Sequence, residues 1–412
     1  MALKILFLHA LSDAAVGGGA EVVVWSQMCG LRDAGYKCIL LTTRYEPGLQ
    51  CHEQDGITVW QGGIRNLYWP YDNQHKSVLK RMAWHAIDSY NPFMQGYLRK
   101  VIALEKPDVI SMHNLAGWSS ASWKTAAELN VPAVQILHDY YPICAKSTLY
   151  KQSRNCARQC VSCRLVRLPH RSLSNQLSAV VGVSQYTLDR HLAEGYFHKV
   201  FNRTVIHNVR DPTSLRVDSV SHSLEYLGIR FGYIGQLIPS KGIELIIDAI
   251  MELHHVDAEL WIAGSGKSDY ETTLRERAQS DRRIRFMGRV LPKDFYPNVD
   301  VIVVPSLWNE AFGLVIVEAL AFGKPLIASH HGGIPEIIRD GDNGLLFNPM
   351  DTSSLVTKLK RVAYEPELLA RLTARAIPSA QPFMNIKSWV GAYTELYQKI
   401  ARENKRTRMG RA

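Results

Sequence analysis

Two glutamates stand eight positions apart in Asn309-Glu310-Ala-Phe-Gly-Leu-Val-Ile-Val-Glu318. Eight residues span about 2.2 helical turns. A helix beginning near Phe312 leaves Glu310 in the loop ahead of it and puts Glu318 more than one turn inside. The backbone N–H groups of Phe312, Gly313 and Leu314 are then free to meet a hydroxyl-bearing, phosphate-linked ligand. The same spacing also fits a helix-cap neighbour and a carboxylate near the positive end of the helix dipole. Lys241-Gly242 stands between YIGQLIPS and the apolar helix pattern IELIIDAI. A lysine beside a helix N-terminus makes a phosphate site, or is an ordinary surface lysine at a helix start.

Three histidines fall at the ends of apolar runs: His9, His113 and His138, the last followed by Asp139. A histidine beside an acid at a strand's carboxyl end suits work on a hydroxyl ligand; a strand-end histidine is also often structural. Cys144, Cys156, Cys160 and Cys163 lie in a C-x11-C-x3-C-x2-C pattern among Arg154, Arg158, Arg164, Arg167 and Arg171. Four thiolates can hold a structural zinc, and the C-x2-C end has the right reach. Reduced cysteines in a loop that meets the acceptor are the alternative, and disulfides are not expected in a cytoplasmic protein. GSGKS at 264–268 is not a phosphate loop, because Trp261 stands where that motif needs its first glycine. A glycine turn closing the strand ELWIA accounts for it.

These residues need a frame. KILFLH, KCILLT, PDVISMH, AVQILH, AVVGV and Thr204–His207 are strand candidates in the first half, and a helix pattern over Ala20–Leu31 follows the glycine run Gly17–Gly19. The pattern pauses at Asn208–Pro212 and through the polar stretch Thr213–Leu224. It restarts with RFGYI, ELWIA, IRFM, DVIVV, PLIA and GLLF. Continuous apolar strands alternating with helices imply parallel sheets buried on both faces. Two series predict an α/β chain of two doubly wound domains with a cleft between them, and ligands outside the strands' carboxyl ends. The expected division is 1–210, 211–385, and 386–412 as a last helix plus basic tail.

Of 412 residues, 46% are hydrophobic and 21% charged, which is globular composition. No run has the roughly 18 apolar residues needed to span a bilayer. The short apolar start at Met1–Ala10 reads as a first strand rather than a secretion signal, so a cytoplasmic protein is expected. The net charge of +10 is uneven: residues 1–212 hold 23 Lys and Arg against 15 Asp and Glu, residues 213–400 hold 20 against 22, and the last twelve hold 5 against 1. A basic first half suits an anionic partner or simple solubility. Zinc-finger spacing and RNP-type strands are missing, so nucleic acid is not the expected partner. Residues 66–102 mix Tyr68, Trp69, Tyr71, Trp84, Tyr90, Phe93 and Tyr97 with Lys76, Lys80, Arg81, Arg99 and Lys100. Such a stretch lies on an anionic membrane or packs as an ordinary helix pair.

The stretches GYIGQLIPSKGIELIIDAI, LWIAGSG, IRFMGRV, DVIVVPSLWNEAFGLVIVEALAFGKPLIAS, GGIPEII and GDNGLLF, in that order over residues 231–348, resemble the nucleotide-sugar domain of the retaining family-four glycosyltransferases of the GT-B fold. The glycine loop, PDVISMHN, ILHDYYPIC and VGVSQ extend the likeness into the first half. A cysteine-bearing insertion after the His-Asp segment is similar to that of members building surface polysaccharides.

The resemblance implies the GT-B fold, two Rossmann-like domains, with the last helix returning to the first. It implies transfer of a sugar from a nucleoside diphosphate sugar, a UDP-sugar first among them, to a carbohydrate or lipid-linked acceptor, with retention and without a catalytic metal or other cofactor. Peripheral contact with the inner face of a membrane is part of the same expectation. Glu310 would hold donor-sugar hydroxyls, with the N–H groups of Phe312, Gly313 and Leu314 near sugar or diphosphate. Glu318 would bond the ribose, Lys241 neutralise the diphosphate, and Arg289 and Val290 lie along the base. Gly18 and Gly19 would approach the diphosphate, and His138 the transferred sugar. Gln236 stands where the family usually carries an arginine, so a charge and a forked donor are missing there. That departure keeps an alternative in view: a catalytically inactive GT-B scaffold binding a nucleotide sugar or a partner enzyme. A same-fold epimerase is another reading; a phosphorylase would need a pyridoxal-phosphate lysine in a longer chain.

Overall fold

A computed structural model of the chain describes residues 3–11, 18–72, 76–215 and 228–409. Gly17 of the glycine run, residues 73–75 of the basic-aromatic stretch, most of the polar stretch Thr213–Leu224 and Arg411 of the tail lie outside those residues. Two compact units emerge: Met1–Leu149 with Cys156–Asn208 and Ile386–Ala412, and Tyr150–Asn155 with Val209–Asn385.

The first unit is built on eight strands: β1 (Lys4–Leu8), β2 (Lys37–Arg44), β3 (Leu49–Gln54), β4 (Ile57–Gly63), β5 (Val109–Met112), β6 (Ala133–Leu137), and, after the short hairpin β7 (Tyr150–Lys151) and β8 (Arg154–Asn155), β9 (Ala179–Gly182) and β10 (Asn202–Val205). Among the described residues they run in the order β10-β9-β6-β5-β1-β2-β4-β3. All pairs are parallel except β3 with β4. The sequence pattern missed both β3 and β4, because β3 is a solvent-facing edge of mostly polar residues (LQCHEQ) with no apolar run to mark it. Chain order reverses between β1 and β5, so the residues following those two strands flank the topological switch point.

The apolar cores of β1, β5 and β6 are fully covered. On one side the helix Gly19–Asp33 packs against the last helix, Ile386–Met409, which buries Trp389, Tyr393 and Tyr397 within this unit. That helix is longer than the expected Ile386–Ile400. Its surplus turns are polar and basic and carry no apolar period to read.

The second unit holds β11 (Ile229–Ile234), β12 (Ala258–Ala263), β13 (Ile284–Gly288), β14 (Val301–Val304), β15 (Leu326–Ser329) and β16 (Gly344–Phe347), all parallel, in the order β13-β12-β11-β14-β15-β16. Here the reversal lies between β11 and β14. The helix Ile243–Met251 buries Ile243, Ile246, Ile247 and Ile250 against this sheet. The hairpin β7–β8 belongs to this unit although the expected division placed it with residues 1–210; hydrogen bonds from Asn155, described below, hold it there.

Candidate active site

In the second unit the loops after β11 and β14 meet. The turn Pro239–Lys241 ends at Gly242, whose left-handed conformation (φ +70°) starts the helix Ile243–Met251. A Cβ at Gly242 would lie 2.1 Å from the Pro305 carbonyl, so only glycine lets the two loops come this close. That approach delivers Lys241 to Glu310: Nζ lies 2.5 Å from Oε1. The same oxygen accepts from Ser306 Oγ at 2.6 Å and from the Trp308 indole at 2.9 Å. The Trp308 ring also sits 5.3 Å from the lysine ammonium. Glu310 is buried, and its backbone carbonyl accepts from Gly333 N at 2.8 Å.

The helix beyond begins at Leu314, two residues later than expected, with left-handed Gly313 as its cap and no capping side chain. Its first-turn N–H groups therefore receive no side-chain oxygen. Glu318 lies inside this helix with both oxygens engaged. Arg210 Nε stands 2.9 Å from Oε1, and Tyr296 donates to Oε2 at 3.1 Å. Burial raises its pKa, against Arg210 and Tyr296, which lower it. Gln236 is exposed, and Tyr233 OH donates to its backbone carbonyl at 2.8 Å. Arg289 is exposed and bonds Ser265 Oγ at 2.7 Å; Val290 beside it is half-buried. The GSGKS stretch is the close turn the sequence implied: a Cβ on Gly264 would lie 1.8 Å from the Gly235 carbonyl.

Asn155 carries no local signal that sequence reasoning could have read. From the β7–β8 hairpin its Nδ2 donates to Leu307 O at 2.7 Å, and its Oδ1 accepts from Asn309 N at 3.0 Å. One amide thus clasps both sides of the loop that carries Glu310.

In the first unit the three strand-end histidines gather at the switch point. His9 Nδ1 accepts from Asn114 N at 3.2 Å, so its proton is on Nε2, 3.3 Å from Glu21 Oε1. The other Glu21 oxygen accepts from Gly18 N at 2.6 Å. A carboxylate therefore already uses the amide expected to approach a diphosphate; Gly19 follows as the exposed first residue of the helix. Burial pushes the Glu21 pKa up, but the hydrogen bonds from His9 and Gly18 N–H bring it below the ordinary value. His113 Nδ1 and His138 Nε2 are 2.9 Å apart. Burial first, then neighbouring His138 and His9, keep His113 from protonating; burial and His9 hold His138 down to about 3. Asp139 accepts from Tyr141 N at 2.7 Å and faces the Asn114 amide at 3.4 Å; burial drives it up to about 7.

The four cysteines were open to two readings, a structural zinc or reduced thiols in a loop. Cys163 bonds the thiols of Cys144 and Cys160, and that contact, with nearby backbone N–H groups, lowers Cys144 to about 6. All four are free. Among the described residues no three His, Cys, Asp or Glu are grouped to hold a metal ion. The basic-aromatic reading also changes. Trp84 and Tyr97 are buried, and Arg167 is wholly buried against Asp88, 3.5 Å away, so none of the three can meet a surface. Exposed apolar side chains in this region include Val78, Leu79 and Met82 on helix Val78–Ser89, Phe93 beyond it, and Val161 and Leu165 on the adjoining helix Val161–Val166.

Residues 17–213 match the family described as Glycosyltransferase Family 4, and residues 228–364 match Glycosyl transferases group 1. The chain belongs to the family-four glycosyltransferases. An uncharacterized 42.6 kDa protein in the cps region of Klebsiella pneumoniae is 27% identical over 337 residues, 82% of this chain and 88% of that one. A lipopolysaccharide 1,2-N-acetylglucosaminetransferase of Salmonella typhimurium is 30% identical over 150 residues, 33% of this chain and 39% of its own. The glycosyltransferase fold is GT-B. Sucrose-phosphate synthase from Thermosynechococcus elongatus superposes with a TM-score of 0.76 at 18% identity, covering 97% of this chain and 99% of that one. HepE of Anabaena, solved with UDP and glucose, superposes with a TM-score of 0.70 at 20% identity over 96% and 99%. No helix among the described residues of this glycosyltransferase is long and apolar enough to cross a membrane.

Proposed function

We propose that this glycosyltransferase moves a hexosyl group from a nucleoside diphosphate sugar, a UDP-sugar by preference, to a hydroxyl of a carbohydrate or lipid-linked acceptor in cell-surface polysaccharide or glycolipid synthesis, with retention. The observation that carries this reading is the pairing of Lys241 with Glu310 beside an uncapped helix N-terminus at the second unit's switch point. A cation and free N–H groups suit a diphosphate; a buried carboxylate suits sugar hydroxyls. Glu318, with Arg210 beside it, bonds the ribose through lone pairs left over from its present partners. Arg289 and Val290 flank the base. His138 meets the transferred sugar. The donor's C1–O bond breaks, the departing phosphate takes the acceptor's hydroxyl proton, and the new bond forms on the same face. Charge on the leaving phosphate is stabilised by Lys241 and the helix N-terminus rather than by a metal ion. The relatives named for a cps region and for lipopolysaccharide support the setting, and HepE, solved with UDP, supports the nucleotide.

The same proposal includes peripheral attachment to an anionic membrane. Exposed Leu79, Met82, Val161 and Leu165 stand among exposed Lys80, Arg81 and Arg164 on two touching helices of the first unit, with exposed Arg158 in the loop just before the second. Apolar side chains ringed by cations bind the headgroup boundary of such a membrane.

An inactive scaffold is the second reading, favoured by Gln236, which offers no charge to a diphosphate. Incubation with UDP-, GDP- and ADP-sugars, with and without membrane lipid acceptors, separates them. Acceptor-dependent release of one nucleotide supports transfer. Nucleotide-sugar binding with no release under any condition supports the scaffold.

A further inference from the structure

Four buried side chains of the first unit and the half-buried His138 form one continuous hydrogen-bonded line. Gln27 Nε2 donates to Tyr397 OH at 3.1 Å. Tyr397 OH lies 2.8 Å from Ser111 Oγ, which lies 3.0 Å from His113 Nε2. His113 Nδ1 is 2.9 Å from His138 Nε2. Gln27, Tyr397, Ser111 and His113 are essentially without solvent contact. At the far end, His138 Nδ1 is buried and has no hydrogen-bond partner among the described residues.

Starting from the Gln27 amide nitrogen, one direction of the line gives every member a partner. A side-chain amide nitrogen donates and cannot accept. Tyr397 oxygen therefore accepts from Gln27 and passes its own proton to Ser111. Ser111 in this direction gives its proton to His113 Nε2, which is then bare. The neutral His113 ring then carries its proton on Nδ1 and donates it to His138 Nε2. His138 is left bare on Nε2, with its proton on Nδ1. Reversing the line would require every hydroxyl and both rings to change roles together, with the Gln27 amide turned over. Burial disfavours a second proton on either ring.

We propose that Ser111 and Tyr397 are positioning residues that lock His138 as a neutral imidazole protonated on Nδ1, so that it meets a sugar oxygen as a hydrogen-bond donor and never as a base. The choice of ligand rests on the reading of His138 as a transfer-site residue; the locked tautomer does not. His138 thus resembles an oxyanion-type donor, preorganised before any ligand arrives. It also makes the last helix part of the site's chemistry, since Tyr397 belongs to Ile386–Met409.

Nitrogen-15 NMR of histidine-labelled protein reads the tautomers directly and needs no substrate. His113 and His138 resonances are assigned by loss in His113→Gln and His138→Gln. The expected wild-type result is a bare Nε2 and a protonated Nδ1 on both rings, unchanged over the range of pH where a free histidine titrates, about 5 to 8. In Ser111→Ala and Tyr397→Phe the two nitrogens of each ring should move toward averaged positions, while Ser111→Thr restores the wild-type pattern. A proton on His138 Nε2 in the wild type, titration of His138 in that range, or an unchanged pattern in both Ser111→Ala and Tyr397→Phe overturns the lock. Transfer by His138→Ala is measured separately: wild-type turnover there removes His138 from the transfer site whatever the spectra show.

Discussion

Lys241 and Glu310 are bonded to each other at 2.5 Å, although one suits a diphosphate and the other a sugar. A donor must therefore share the lysine with the glutamate. Glu310→Gln removes the competing charge and keeps the shape. It should leave nucleoside diphosphate affinity unchanged or raised and lower turnover at least tenfold. Calorimetry against steady-state rates checks this, and wild-type turnover would remove Glu310 from the sugar.

Lys241→Ala should cost more than loss of a surface lysine. A hydrogen bond to a charged group contributes roughly 1.5–3 kcal/mol, so nucleotide affinity or turnover should fall about tenfold or more. The change also leaves Glu310 without its cation. The double variant Lys241→Ala with Glu310→Gln should therefore recover nucleotide affinity relative to Lys241→Ala alone. Equal affinity for nucleotide in all three proteins would mean that another group meets the phosphates.

Asn155→Ala removes both bonds that clasp the Glu310 loop. At about 1 kcal/mol each, their loss should lower turnover by about tenfold, with a smaller effect on nucleotide binding. Asn155→Asp tests the geometry: it can still accept from Asn309 N but cannot donate to Leu307 O, and should fall between the two. Identical rates in all three would make the clasp ornamental to catalysis.

Stability against pH should betray the buried charges of the first unit. Asp139, raised to about 7, and Asp88, raised to about 6 by burial, hold protons that the unfolded chain has released. Their contribution is full below about pH 4 and is lost as pH rises through those values. His113 and His138 act oppositely: kept neutral in the fold, they contribute fully above about 6.5 and lose it as pH falls. Asp139→Asn deletes one falling contribution. Its stability should climb more steeply than wild type between about pH 4 and 6.5, by on the order of a few kcal/mol. Denaturant melts across that range decide it, and parallel curves would show Asp139 ionised as in the unfolded chain.

Flotation with anionic vesicles at low salt should carry the protein upward, and high salt or neutral vesicles should release it, because exposed charges are screened beyond about 8 Å at physiological ionic strength. Leu79→Ser with Leu165→Ser should weaken flotation without changing transfer to a water-soluble acceptor. A protein that stays at the bottom with every vesicle has no membrane site here, and its basic first half serves solubility or a soluble anionic acceptor.

Much of this fold was legible because buried parallel strands are continuous apolar runs: GLLF became β16 residue for residue, and both sheets followed. The edge pair β3–β4 was not, since LQCHEQ shows water a polar face. Within the site, Glu310, Lys241 and the strand-end histidines were found from local context. Their partners were not. Tyr397 lies 286 positions from Ser111, and Asn155 lies 154 from Asn309; nothing in either neighbourhood marks the other. Arg167 misled because arginine is usually exposed, whereas here it is sealed against Asp88 and Tyr141.

The last helix closes the first unit, and that has a consequence for how the chain is made. A ribosome completes the whole of Val209–Asn385 before it supplies Trp389, Tyr393 and Tyr397. The second unit can thus finish first, reversing the usual order in which domains mature from the N-terminus. Until the final turns emerge, the nascent first unit exposes the apolar face of Gly19–Asp33, and a chain stopped at Asn385 would never cover it.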